Sequence, residues 1–151
     1  MDKSSGAELL KIVAESEPIA QKLEAIRRGV RPVAFSHVLE SARAFLLGVI
    51  AREIPQTLWI ICPSVRAQEL LHESLTNWVP DALFLPEAEF LAVENILPDQ
   101  EIAAERLALL SRVEESRRRQ VVVATRASLE QAGTETRCSA LRSTSFAARR
   151  Q

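Results

Sequence analysis

The chain has 151 residues, of which 47% are hydrophobic and 26% charged, and its formal net charge is −1. That length suits one domain, or one domain and a tail, and a chain of this size buries roughly two thirds of the surface its unfolded form exposes. A balance so close to neutral excludes a global field for nucleic acid or an anionic membrane, so any such contact needs a local patch.

The opening stretch, Met1 to Gly6, is polar, and Leu9 to Val13 is too short and too interrupted by charge for a secretory core. No apolar run approaches the roughly 20 residues that cross a bilayer. The expectation is a monomeric, cytoplasmic protein with no membrane contact. Cys62 and Cys138 lie far apart, which reads as two thiols in a reducing compartment rather than a disulfide framework. His37 and His72 have no Cys or His at ligand spacing and read as surface or loop residues, so neither metal nor cofactor is expected.

In chain order, Leu9, Leu10, Val13, Ile19, Ala20, Leu23 and Ile26 recur with helical spacing, and Pro18 divides or kinks that helix. Arg27 and Arg28 followed by Gly29 give a helix stop. Val33-Ala34-Phe35 after Pro32 reads as a short buried strand, and Ser36 to Ser41 as a loop. A helix then runs from Ala42 to Ile54, ended by Pro55. Leu58 to Cys62 is the clearest strand, with Trp59 expected to be buried in the centre of the sheet. Ser64 is placed to cap a helix over 65–78, with Val65, Leu70, Leu71, Leu75 and Trp78 on its apolar face.

Ala82 to Leu85 reads as a further strand, stopped by Pro86, and 87–98 as a loop with one helical turn. An amphipathic helix follows over 100–115, with Ile102, Leu107, Leu110 and Val113 inward. Val121 to Ala124 is a β-branched strand, followed by a short helix near Ser128 to Gln131. Continuous apolar strands alternating with amphipathic helices predict an α/β fold of three layers, a mainly parallel sheet flanked by helices with right-handed crossovers. Residues 1–133 form the expected domain. Residues 134–151 hold Arg137, Arg142, Arg149 and Arg150 against Glu135 without sustained periodicity, and read as a disordered basic tail.

A strand, a loop and a helix in succession are where P-loop proteins hold phosphate, through glycine amides, a lysine and a magnesium-binding hydroxyl. The equivalent stretch here, Val33 to Ala44, has no glycine. His37 and Glu40 occupy the turn, Arg43 stands where the lysine would, and Ala44 offers magnesium nothing. This is a vestigial phosphate loop, and it excludes a nucleotide-hydrolysing enzyme on its own. Glu87, Glu89 and Glu94 read as solvated surface acids, and Ser64 and Ser128 have no histidine at a telling spacing. Arg117, Arg118 and Arg119 form a basic turn, usually a solvated loop but a candidate contact to a nucleic-acid backbone.

Three segments carry a resemblance. They are the stretch 33–54; Leu83-Phe84-Leu85-Pro86-Glu87 with, after a gap, Pro98-Asp99 and the helix containing Glu105-Arg106-Leu107; and Val121-Val122-Val123-Ala124-Thr125 with Ala127-Ser128-Leu129-Glu130-Gln131. Together, over about residues 8–133, they resemble the amino-terminal region of the bacterial transcription-repair coupling factor (Mfd), itself similar to the first domain of the excision-repair protein UvrB. The resemblance implies a degenerate P-loop fold that serves recruitment and autoinhibition, while the ATP-driven DNA motor lies in another part of the family's chain. It implies as partners the remainder of the coupling factor, with UvrA and RNA polymerase reached through domains that do not match here. The likeness stops near Gly133, where the family's UvrA-binding domain would start, so the expectation is a non-catalytic fragment from a truncated or frame-disrupted reading of a longer gene. Two other readings remain at this stage: a small nucleotide-binding or helicase-related ATPase, and a generic α/β interaction module.

Overall fold

A computed structural model describes residues 3–87, 100–116 and 118–130. The segments 88–99 and 131–151 lie outside the described residues, and with them Glu89, Glu94, Cys138 and the basic tail. Two helices open the chain, α1 (Lys3–Glu15) and α2 (Glu17–Arg27), separated at Ser16 with Pro18 in the first turn of α2. Proline is tolerated there because the amide it removes has no partner inside the helix. Gly29 takes φ +77° after α2, a left-handed turn that suits glycine.

The strand expected at Val33 to Phe35 does not form. The chain from Val30 to Leu39 is irregular, and Phe35 packs sideways into the cluster beneath α2 and the next helix. Three apolar residues after a proline cannot distinguish a strand from a loop anchored by one aromatic ring. Helix α3 (Glu40–Glu53) starts two residues earlier than periodicity indicates. Its run Phe45-Leu46-Leu47-Gly48-Val49-Ile50-Ala51 is apolar almost all round, the mark of a helix covered on two sides. Ala44 and Ala51 face the sheet, while Val49 and Ile50 face the α1–α2 hairpin.

The sheet has three strands, all parallel: β1 (Leu58–Cys62), β2 (Leu83–Phe84) and β3 (Val121–Thr125), in the order β1-β3-β2. Leu58 pairs with Val121 and Cys62 with Thr125, while Leu83 and Phe84 pair with Val122 and Val123. The central strand is therefore β3, buried at every position, and not β1. Trp59, expected at the centre, is half-buried on an edge strand, because the β-branched run Val121-Val122-Val123 has the stronger claim to two covered faces.

Helix α4 (Val65–Thr76) lies with α3 on one face, where Ile60, Cys62, Val121 and Val123 meet Ala44, Ala51 and Leu75. Helix α5 (Gln100–Glu115) and the short α6 (Arg126–Glu130) serve the other face, where Val122, Ala124 and Leu85 meet Leu109, Leu110, Val113 and Leu129. The fold is thus a helix–sheet–helix α/β arrangement with the α1–α2 hairpin as an outer layer on α3. The step from β1 to β2 crosses one face, and the return from β2 to β3 crosses the other. The two crossovers consequently share one hand.

Several inward assignments are corrected. Leu107 is 47% exposed and Leu70 58% exposed, and Val65 is also on the surface. The apolar stripes of α4 and α5 instead include two polar residues, Gln68 and Arg106, which are buried. Trp78 falls beyond α4 and packs edge-on against Phe45 with 4.8 Å between ring centroids. Gly48 allows that approach, since a Cβ there would stand 2.9 Å from the Trp78 Cβ.

Candidate functional site

The vestigial phosphate loop is not a strand–loop–helix unit, because no strand precedes α3. Its residues are also not gathered. His37 is exposed with φ +60°, and Glu40 and Arg43 form a solvent-facing i,i+3 pair at 3.7 Å. Ala44 points the other way, into the core beside the sheet. Lys22 reaches the backbone oxygen of Ala34 and covers the Phe35 ring, so the segment is held to α2.

The true strand-to-helix turn lies between β1 and α4, and it consists of Pro63 and Ser64. Pro63 has no amide to offer. Ser64 is extended, and its hydroxyl accepts from the Ala67 amide at 3.3 Å as the helix cap. Cys62 ends β1 as a buried free thiol, and burial pushes its pKa up, which disfavours the reactive thiolate.

The densest polar arrangement sits at the carboxyl ends of β2 and β3. Carboxyl ends are where open α/β sheets commonly place their ligands. Thr125 donates through Oγ1 to the Glu87 carboxylate and accepts from the Ser128 amide at 3.0 Å. Ser128 returns the contact: its Oγ accepts from the Thr125 amide at 3.0 Å and donates to the Thr125 oxygen at 2.9 Å. This reciprocal pairing caps α6. It also commits the Ser128 proton to a carbonyl and leaves the hydroxyl 1% exposed, the opposite of an activated nucleophile.

Two side chains clasp the cluster from opposite faces. Arg106 on α5 donates from Nη2 to the Ser128 oxygen at 2.8 Å and from Nη1 to the Pro86 oxygen. Its guanidinium is 6% exposed; desolvation lowers its pKa, and the nearby Glu87 charge acts in the other direction. It remains a cation in any solution that keeps the protein folded. Gln68 on α4 uses both protons of Nε2, to the Leu85 oxygen at 2.8 Å and the Val123 oxygen at 2.9 Å. Its Oε1 is buried without a hydrogen-bond partner among the described residues. Leu85 completes the tie by donating its amide to the Val123 oxygen at 2.9 Å.

Arg106, Pro86 and Ser128 come from two of the three segments that carry the resemblance. The cluster therefore brings together the Leu-Pro-Glu turn, the Glu-Arg-Leu helix and the Ala-Ser-Leu helix. The first segment, 33–54, contributes nothing to it. Neither Gln68 nor Arg106 was expected, although both sit on the inward 3–4 spacing of their helices, before Leu71 and Leu75 and between Ile102 and Leu110. A polar residue in phase with an apolar stripe was the available signal.

Comparison with protein-family models, with curated proteins and with solved structures finds no match in any of the three.

Of the basic turn, Arg117 lies outside the described residues. Arg118 is exposed, and its backbone is tied to the Ser116 hydroxyl. Arg119 turns back onto the protein, donating to the Arg52 oxygen at 2.6 Å and the Ile54 oxygen at 3.4 Å. Those carbonyls end α3, where a cation is favoured by the helix dipole. His72 is half-buried on α4 rather than a surface or loop residue, with Nε2 3.0 Å from the Ala82 oxygen and its ring edge-on to Phe84. Among the described residues no group of three His, Cys, Asp or Glu side chains is arranged to hold a metal ion, and no helix is long and apolar enough to cross a membrane.

Proposed function

We propose that this chain is a non-catalytic α/β module of the transcription-repair coupling-factor type, similar to the first domain of UvrB. It would serve nucleotide excision repair in the cytoplasm through protein contact. The observation that supports this reading is the convergence of two motif-bearing segments on Arg106. The hydrogen-bonding capacity of Thr125 and Ser128 goes into fixing the carboxyl ends of β2 and β3, where an enzyme of this architecture would keep its reacting groups. At the β1–α4 turn, Pro63 and the capping Ser64 occupy the space in which a triphosphate would need a ring of amides.

On this reading the direct partner is the motor-bearing remainder of a coupling factor, and UvrA and RNA polymerase are engaged through that remainder. The module restrains the motor rather than driving it. The test is to add the purified chain in trans to a coupling factor that lacks its own matching region and to follow ATP hydrolysis. Saturable inhibition is expected, with no hydrolysis by the chain alone. An unchanged rate at saturating chain, or turnover by the chain itself, would overturn the proposal.

A further inference from the structure

At the amino ends of the strands, away from the Arg106 cluster, a surface cleft of about 410 Å³ is lined by Leu10, Trp78, Asp81 and Val121 together with Arg52 and Arg119. That volume falls within the range of small-ligand sites. Both guanidiniums are positioned by backbone oxygens. Arg52 donates from Nη1 to the Ala7 oxygen at 2.6 Å, tying α3 to α1, and Arg119 donates from Nη1 to the Arg52 and Ile54 oxygens. Each arginine thus commits one terminal nitrogen to the protein. Among the described residues, neither Nη2 has a hydrogen-bond partner.

We propose that this cleft binds a carboxylate carried on an apolar body. Two arginines fixed in this way are preorganised for a planar anion, because little side-chain freedom is lost when it binds. Leu10, Trp78 and Val121 supply an apolar wall beside them. A polyanion such as a nucleic-acid backbone fits less well. Asp81 lines the same cleft, and Glu53 approaches Arg52 Nε at 4.0 Å, so a run of phosphates would meet carboxylates as well as arginines. A ligand with a single negative charge meets less of that repulsion than a run of phosphates does. The carboxylate can come from a free organic acid or from the carboxyl terminus of a peptide, and both present the same group.

Trp78 is the reporter. In a Trp59→Phe chain it is the sole tryptophan, and its fluorescence can be titrated with phenylacetate and with neutral phenylacetamide. The same titration uses an acetylated dipeptide ending in phenylalanine, as the free acid and as the amide. A saturable change is expected with an acid, weakened about tenfold or more in the matching amide, a ratio worth ~1.4 kcal/mol. Tighter binding of phenylacetate assigns the site to free acids, and tighter binding of the dipeptide acid assigns it to peptide termini. Arg52→Gln and Arg119→Gln should each reduce acid binding to the level of the amide. Arg119 also anchors the end of α3, so the acid–amide comparison on the Trp59→Phe background decides the matter if that variant does not fold. Equal binding of acid and amide, or no response of Trp78 to either acid, would overturn the proposal.

Discussion

Replacing Arg106 by methionine tests the polar cluster most sharply, because methionine keeps much of the side-chain volume and removes the guanidinium. The Pro86 and Ser128 oxygens would then lose their charged donor in a site where Arg106 is only 6% exposed. A buried acceptor left without its partner costs about 1–3 kcal/mol, so two such losses amount to ~2–6 kcal/mol. A domain of this kind has about 5–15 kcal/mol in total, so the variant should be markedly less stable or unfolded. Arg106→Lys keeps the charge, but a single ammonium cannot span both oxygens, and about half the loss is expected. Urea unfolding followed by tryptophan fluorescence and far-ultraviolet circular dichroism measures both variants, with the midpoint shifting and the slope unchanged. Arg106→Met within ~0.5 kcal/mol of the parent, the range of an ordinary surface substitution, would refute the cluster as a structural clasp.

Burial predicts that Leu85→Ala, at a fully buried position beside β2, costs ~2–5 kcal/mol, whereas Trp59→Ala at a half-buried position costs about half the 3–5 kcal/mol of a fully buried tryptophan. The reverse ranking in chemical denaturation would argue against the half-buried placement of Trp59. Gly48→Ala gains roughly 1 kcal/mol of helix propensity but drives a methyl against Trp78, an overpacking cost of about 1–3 kcal/mol. The expected outcome is a net loss with a changed near-ultraviolet dichroism of Trp78, and a stabilised variant would contradict the packing. In a Cys138→Ser background, Cys62 should resist a thiol reagent until the protein unfolds. Because burial raises its pKa, the stability linked to this thiol is complete below the ordinary thiol range. It should decline as pH rises past about 8.5, where the unfolded thiol begins to ionise. Cys62→Ala should remove that part of the pH dependence.

Most of the architecture was legible where period and punctuation agreed. Pro18, Gly29, Ser64 and Pro86 marked real boundaries, and the runs 58–62 and 121–124 lie in strands, the second reaching one residue further, to Thr125. The Val33-Ala34-Phe35 segment misled because Phe35 alone anchors a loop beside α2 and α3, and a three-residue run carries no periodicity. Trp59 misled for a different reason. Hydrophobicity says that a strand is buried, but strand order depends on which strand is covered on both faces, and the path of the helices settles that. The cluster at the carboxyl ends was the least legible part. Thr125 and Ser128 sit three apart, as a capping pair should, but Glu87, Arg106 and Gln68 join them only through tertiary contacts 17 to 55 residues apart.

The most direct test of a module that works without nucleotide is an amide-resolved titration of the intact chain with a non-hydrolysable ATP analogue and magnesium. The resonances of Val65 to Gln68 at the head of α4, and of Glu40 to Ala44 at the head of α3, should stay in place. Saturable shifts at either helix head would contradict the account.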